Sequence, residues 1–306
     1  MINFKQGLPL ILVVFLSGCG GSYHLDDSEN STVFPHYSEN SALLPELYWN
    51  TSESALDTDG IYSADLDDIS SFKKVVEFSD STDVCISDSQ GNLYWSDREK
   101  NGIMKSDPDG KNVRQIIFGL DIPIGLAIDE SRGRIYWNNW KQSASPQSGE
   151  IGYASLEGDS TNIIITEGLA SGGHLLFDPN SDTLYISDVF GGKIVKTDID
   201  GNNSITITTA GQPEQLAIDY QNRRLIWADI ELDEILSVGL DGLNKQVLID
   251  FNDQFANPRA LVIDQNNSKI LFVITNNDFY SSNLDGTNMT KFHEVSGGVK
   301  SLWFRN

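Results

Sequence analysis

Three charged side chains occupy one repeated position in this 306-residue chain. Glu214, Arg259 and Lys300 each stand at the start of an apolar segment, roughly 41–45 residues apart. His174 stands one position further on in an equivalent segment. A carboxylate, two cations and an imidazole at one end of a repeat could bind a polar ligand, or could neutralise one another as a salt-bridged plug. The sequence leaves both interpretations open.

Two aromatic side chains follow apolar segments of the same repeat. Trp140 opens the longest local insertion, which runs from 140 to 149, and Phe190 lies in the corresponding loop of the next unit. Large aromatic side chains are frequent anchors of protein interfaces. We therefore expect His174, Glu214, Arg259, Lys300, Trp140 and Phe190 to form one binding face.

Catalytic chemistry has little support in the sequence. The chain has no Ser-His-Asp spacing and no His-rich metal motif, and His174 and His293 are isolated. The motif carboxylates recur once per unit, which favours local turn hydrogen bonds over a metal site. The sequence predicts no catalytic residue, no cofactor and no resident metal, and it favours a binding module over an enzyme.

The repeat predicts the fold. Each unit has four short apolar segments, and the third ends in an acidic residue followed by glycine, as in Asp109-Gly110 and Glu157-Gly158. These turns recur at intervals of roughly 41–48 residues, and four strands in such a unit are typical of a β-propeller blade. The sequence therefore predicts an all-β, six-bladed propeller of four-stranded blades over residues 46–306.

Blade counting also predicts how the ring closes. Second-strand segments occur six times, but first-strand segments occur five times before the C-terminus. Val299–Phe304 aligns with the inner strand that contains Leu126. We expect this C-terminal strand to complete blade 1, which leaves no exposed sheet edge at the inner position.

The second strands resemble the YWTD repeat of the low-density lipoprotein receptor class B family. The resemblance rests on Tyr94-Trp95-Ser96-Asp97, Tyr136-Trp137-Asn138-Asn139 and Tyr48-Trp49-Asn50. It implies a six-bladed propeller that presents one face to protein partners. It also implies that the motif tryptophans pack between blades rather than bind ligand.

A second resemblance gives the alternative function. Lactonase-type six-bladed propellers bind a divalent metal at the channel mouth through Glu, Asn and Asp side chains from different blades. Glu214 and Asp83 could contribute to such a site, whereas Arg259 and Lys300 beside Glu214 would oppose a cation. This alternative is a metal-dependent hydrolase.

The N-terminus resembles a bacterial lipoprotein leader. Lys5 precedes a short apolar run, which ends at Leu16-Ser17-Gly18-Cys19, a match to the lipobox. We expect a signal peptide over 1–18, lipidation of Cys19, and a flexible acidic linker over 19–45. Gly20 follows the cysteine, and the family sorting pattern then implies the outer membrane, facing the periplasm or the cell surface.

The overall charge limits the partners. The formal net charge is −23, so the surface repels nucleic acid and anionic lipid. We therefore expect a protein partner in the cell envelope, membrane contact through the lipid anchor alone, and no nucleic acid.

Overall fold

The computed structural model describes most of the chain after residue 45. The described residues are 46–51, 59–78, 84–142, 148–165, 167–252, 256–275, 277–295 and 297–305. The predicted leader, Cys19 and the predicted linker all lie outside them, as does Asp83.

The described elements are 24 strands and one 3-10 helix, Leu66–Ser71. The first twelve strands are β1 (Glu46–Thr51), β2 (Gly60–Asp65), β3 (Lys73–Glu77), β4 (Cys85–Ser87), β5 (Leu93–Asp97), β6 (Gly102–Ser106), β7 (Arg114–Ile117), β8 (Ile122–Asp129), β9 (Arg134–Lys141), β10 (Ser148–Ser155), β11 (Asn162–Ile165) and β12 (Leu175–Asp178). The second twelve are β13 (Thr183–Asp188), β14 (Lys193–Asp198), β15 (Ile205–Thr209), β16 (Pro213–Asp219), β17 (Arg224–Asp229), β18 (Glu234–Gly239), β19 (Gln246–Asp250), β20 (Ala260–Asp264), β21 (Lys269–Val273), β22 (Asp278–Asn283), β23 (Thr290–Glu294) and β24 (Val299–Phe304).

These strands form six antiparallel sheets of four strands each. Five sheets take four consecutive strands, and the sixth has the order β24-β1-β2-β3. The inner strands β24, β4, β8, β12, β16 and β20 contact one another in sequence around a ring. The predicted all-β, six-bladed propeller is confirmed, and the C-terminal strand completes blade 1 with Leu302 opposite Trp49.

The core lies in the seams between blades. Each of the six apolar clusters combines residues from two neighbouring blades. Because every blade buries both faces, its second strand has apolar or aromatic side chains at consecutive positions, as in Leu93-Tyr94-Trp95. The motif side chains Trp49, Trp95, Trp137 and Trp227 are each at most 1% exposed, so they pack between blades as the sequence predicts.

The acidic-Gly turns fasten neighbouring blades together. Gly158 has φ of +89°, and a Cβ on it would lie 1.9 Å from the carbonyl oxygen of Ile116 in the preceding blade. The same close approach occurs at Gly286, whose Cβ would lie 2.0 Å from the Leu248 carbonyl oxygen. Glycine is needed there for the left-handed conformation and also for the short distance between blades.

Candidate functional site

The predicted binding face lies where the inner strands begin and where the second and third strands turn. On it, Glu214 and Lys300 are half-buried and Arg259 is exposed. Glu214 and Lys300 each take part in an interaction. The structure therefore places the three charges on one face.

A β-bulge sets the direction of Glu214. The pairing of β16 with β17 runs from Pro213 opposite Asp229 to Leu216 opposite Trp227, with a shift in register between them. A bulge re-aims the side chains at its position, and bulges are common at the rims of barrels and near functional sites. The corresponding shift in blade 3 lies between Pro123 and Leu126.

Neutral side chains cross the channel below the charged position. Gln215 Nε2 donates to the Leu302 carbonyl oxygen at 2.6 Å, and the Leu302 N–H donates to Gln215 Oε1 at 3.0 Å. The Gln215 amide therefore makes, with the backbone of Leu302, the two hydrogen bonds that a residue of a neighbouring strand would make. Nearby, the Cys85 N–H donates to Ser301 Oγ at 3.2 Å, which ties β24 to the next blade. These contacts hold the closing strand in the ring.

His174 belongs to the channel wall. Its side chain is buried, and its Nδ1 accepts a hydrogen bond from the Leu216 N–H at 3.3 Å. Burial lowers the pKa of the imidazole from 6.5 to about 3, so the ring is neutral at physiological pH. The structure thus assigns His174 a contact between blades 4 and 5, away from the solvent-facing rim where the sequence had placed it with the binding residues.

The two predicted aromatics do meet. The rings of Trp140 and Phe190 lie 5.1 Å apart at an interplanar angle of 59°. Trp140 is half-buried in β9, opposite Gly149 of β10, so the insertion begins as an extended hairpin rather than as a loop. Phe190 is 60% exposed at the turn between β13 and β14. Together they form an aromatic rim across blades 3 and 4, named here the Trp140–Phe190 rim.

The turn that carries Phe190 is fixed by Asp188. This carboxylate is buried and accepts hydrogen bonds from the backbone N–H groups of Ala170, Ser171 and Gly191. The Phe190 N–H donates to Ser171 Oγ at 3.0 Å. An exposed aromatic on a turn of this kind loses little conformational entropy when it binds. Asp188 therefore stabilises the turn through hydrogen bonds, as the sequence predicts for the motif carboxylates.

Unpartnered polar groups lie beside the rim. Asn138 is 0% exposed, and both ends of its amide lack a hydrogen-bond partner among the described residues. The indole Nε1 of Trp140 is also buried without a partner within that part of the chain. In blades 2 and 4 the position of Asn138 is Ser96 and Ser187, whose hydroxyls accept hydrogen bonds from the N–H groups of the residues just before the inner strands. Repeat alignment identifies Asn138 as a departure, but only the structure shows that its amide is unpaired.

Of the two residues that could contribute to a lactonase-type metal site, Glu214 is described and Asp83 lies outside the described residues. Within those ranges, no three His, Cys, Asp or Glu side chains are grouped so as to hold a metal ion. Glu214 shares its face with exposed Arg259 and with Lys300.

No helix in the described part of the chain is long and apolar enough to cross a membrane.

Comparison with known proteins gives similarity in fold and a partial similarity in sequence. No family model matches the chain. The chain is 29% identical over 135 residues to Protein cueball of Drosophila erecta, covering 40% of this chain and 21% of that protein. It is 30% identical over 142 residues to Protein cueball of Drosophila grimshawi, covering 42% and 22%. The match thus spans about a fifth of the length of these curated relatives.

Two solved structures share the propeller fold. A chain of the crystal structure of the nidogen/laminin complex gives a TM-score of 0.72 at 19% identity, covering 86% of this chain and 98% of that one. Virginiamycin B lyase from Staphylococcus aureus gives a TM-score of 0.55 at 15% identity, covering 73% and 77%. At these identities the likeness is one of fold. One similar fold comes from a protein–protein complex and the other from an enzyme.

Proposed function

We propose that this chain is a lipid-anchored protein of the bacterial envelope whose propeller binds a protein partner through the Trp140–Phe190 rim. The observation that carries the proposal is this pair of contacting aromatics, one of them 60% exposed on a turn fixed by hydrogen bonds. Solvent-exposed aromatics on rigid supports are typical anchors of protein interfaces. The YWTD-like motifs and the similarity to a chain of the nidogen/laminin complex support the same function.

The neighbouring surface favours a protein partner as well. Leu232, at the equivalent turn of blade 5, is 40% exposed, so apolar side chains continue from blade 3 to blade 5. Arg259 and Lys300 follow on blades 6 and 1. An apolar centre with charged residues at its margin is the usual composition of a protein interface.

The anchor is the second part of the proposal. Cys19 would carry the lipid, and the acidic linker over 19–45 would hold the propeller clear of the membrane. The location would be the outer membrane, facing the periplasm or the cell surface. The lipobox-like sequence Leu16-Ser17-Gly18-Cys19 supports this part.

Pull-down from detergent-solubilised envelope, with the propeller from residue 46 onward as bait, tests the binding face. Trp140→Ala and Phe190→Ala should each weaken retention of a specific envelope protein, because loss of an anchoring aromatic costs about 2 kcal/mol or more. Lys300→Ala should cost less, since a charge at the margin contributes little.

Leu243→Ala is the matched control. Leu243 is 62% exposed, similar to Phe190, but lies on the opposite face. It should retain the partner fully. Retention of the same protein by the parent and by both aromatic variants would contradict the proposed face. A stoichiometric divalent metal in the purified protein would favour the hydrolase alternative instead.

A further inference from the structure

A groove lies between blades 5 and 6 on the face opposite the Trp140–Phe190 rim. Its volume is about 910 Å³. The turns that follow inner strands β16 and β20 form two of its walls, and the turns that follow third strands β18 and β22 form the others. It is separate from the proposed protein-binding face, because first-to-second and third-to-fourth turns lie at the other end of every blade.

Side chains at one repeat position are smaller in blades 5 and 6 than in blades 2 to 4. The position is that of the first motif aromatic of the second strand, together with its partner on the third strand. Blades 2 to 4 have two large residues there, namely Tyr94 with Lys105, Tyr136 with Tyr153, and Tyr185 with Lys196. Blade 5 has Ile226 opposite Ser237. Both partners are smaller there, and Ser237 lines the groove.

Long side chains fill the equivalent space in other seams. Lys105 Nζ donates to the carbonyl oxygen of Leu156 in the next blade at 3.2 Å. Lys196 Nζ donates to the carbonyl oxygen of Leu240 at 3.1 Å. Ser237 is too short to cross to the next blade in this way. Arg224 of the second strand takes over this contact and donates to the Leu284 carbonyl oxygen at 2.5 Å. Its Nη1 also donates to Ser237 Oγ at 3.5 Å, so Ser237 lines the groove while only 1% exposed.

The groove is held in shape by hydrogen bonds. Arg224 Nε donates to Asp219 Oδ2 at 2.9 Å, so its guanidinium is fixed in the seam. Asn222 Nδ2 donates to the same carboxylate at 2.8 Å. In blade 6, Asn267 Nδ2 donates to Asp264 Oδ2 at 2.7 Å. Each of these amides is therefore held in one orientation before any ligand arrives.

The lining has the chemistry of a sugar-binding surface. Its side chains are mostly amides and hydroxyls, which both donate and accept hydrogen bonds, as sugar hydroxyl groups do. Three cations and two carboxylates line it, for a formal charge of 3 − 2 = +1, so the site is nearly neutral in a chain of −23. Its apolar side chains are two leucines, Leu240 and Leu284, with no aromatic anchor for a protein partner.

We propose that this groove between blades 5 and 6 binds an uncharged oligosaccharide through its fixed amide, hydroxyl and guanidinium groups. The proposal stands independently of the protein-binding rim, because no residue is shared between the two surfaces.

Ser237→Lys is the decisive variant. It restores the residue type that blades 2 and 4 have at this position. Because Arg224 Nη1 lies 3.5 Å from Ser237 Oγ, the lysine should displace the guanidinium into the groove and fill it. NMR titrations of the propeller with maltohexaose, cellohexaose and N-acetylchitohexaose should show saturable binding of at least one of these sugars. Ser237→Lys should weaken that binding by about tenfold or more, which corresponds to about 1.4 kcal/mol.

Ser281→Lys is the matched control, since it makes the same change at the same repeat position in blade 6, outside the groove. It should bind sugar as the parent does. If Ser237→Lys fails to fold, Gln246→Ala takes its place, because this exposed side chain lines the groove without entering the core. Gln246→Ala should weaken binding severalfold.

Three results would overturn the proposal. The parent protein could bind none of the three sugars. The filled-groove variant, or Gln246→Ala in its place, could bind as tightly as the parent. Hexagalacturonate alone could bind, with a strong dependence on salt, which would indicate an anion site instead.

Discussion

At the scale of single residues, the sequence predicts polar side chains near the channel mouth. The structure shows which of them lie on the exposed face and which make hydrogen bonds inside the channel. Glu214, Arg259 and Lys300 stay on the face. His174 instead bonds the backbone of the neighbouring blade 5, and Gln215 bonds the backbone of blade 1 across blade 6. Glu214 and Gln215 are nevertheless adjacent in sequence. The alternation of a β-strand sends neighbours to opposite sides, and the bulge in β16 changes that alternation locally.

His174 gives a pH dependence whose sign follows from its burial. Its pKa falls from 6.5 to about 3 in the folded chain. Between these two values the unfolded chain binds the extra proton and the folded chain does not, so stability falls as the pH falls through this window. From pH 7 to pH 4.5 we expect this residue to remove about 2 kcal/mol of stability.

Urea unfolding of the parent and of His174→Asn, at both pH values, measures this effect. The asparagine oxygen can replace Nδ1 as acceptor for the Leu216 N–H, but it does not titrate. The loss of stability on acidification should be smaller in the variant by that amount. Equal losses in the two proteins would show that the imidazole is not held neutral.

At the scale of elements, β24 decides whether the ring is closed. It pairs with β1 on one side, and its Val299, Leu302 and Trp303 are buried. Removal of this strand would expose the inner edge of β1 and the seam near Trp49. Exposed edges of this kind pair with other chains.

Deletion of residues 299–306 should therefore give aggregated protein rather than a mildly weakened monomer. Thermal unfolding and size-exclusion chromatography measure the outcome. Deletion of 305–306 is the control, because it leaves β24 intact. A soluble 299–306 deletion with the parent melting temperature would show that the closing strand is dispensable.

At the scale of the whole molecule, the proposed lipid anchor and the propeller can be tested independently of each other. The propeller presents both of its faces, one with the Trp140–Phe190 rim and one with the groove at the seam of blades 5 and 6. If residues 19–45 form the flexible linker that the sequence predicts, its span of roughly 25–30 Å would let either face reach a partner.

Cys19→Ser tests the anchor in the full-length chain. If the thiol of Cys19 accepts the lipid, the variant should lose incorporation of a labelled fatty acid and should leave the membrane fraction. Cys85→Ser is the matched control, because Cys85 is 1% exposed in the propeller core. Equal labelling of Cys19→Ser and the parent would exclude lipidation at this residue.

The sequence by itself determined the ring. Strand length, turn glycines and the aromatic pairs repeat along the chain, and these are local signals that do not depend on distant contacts. The closing strand could be predicted for the same reason, since the alignment of Val299–Phe304 with an inner strand needs only the repeat. The sharing of one face by Trp140 and Phe190 follows as well, because the connections between second and third strands lie at the same end of every blade.

Only the tertiary structure decided which side chains meet across the channel and along the seams. Gln215 of blade 5 bonds the backbone of Leu302 in blade 1, across blade 6. Arg224 of blade 5 bonds the Leu284 carbonyl oxygen in blade 6. The groove between blades 5 and 6 is lined by side chains from both blades. Such contacts follow from the distances between blades in three dimensions. A repeat pattern fixes where each residue lies within its own blade, but it does not fix those distances.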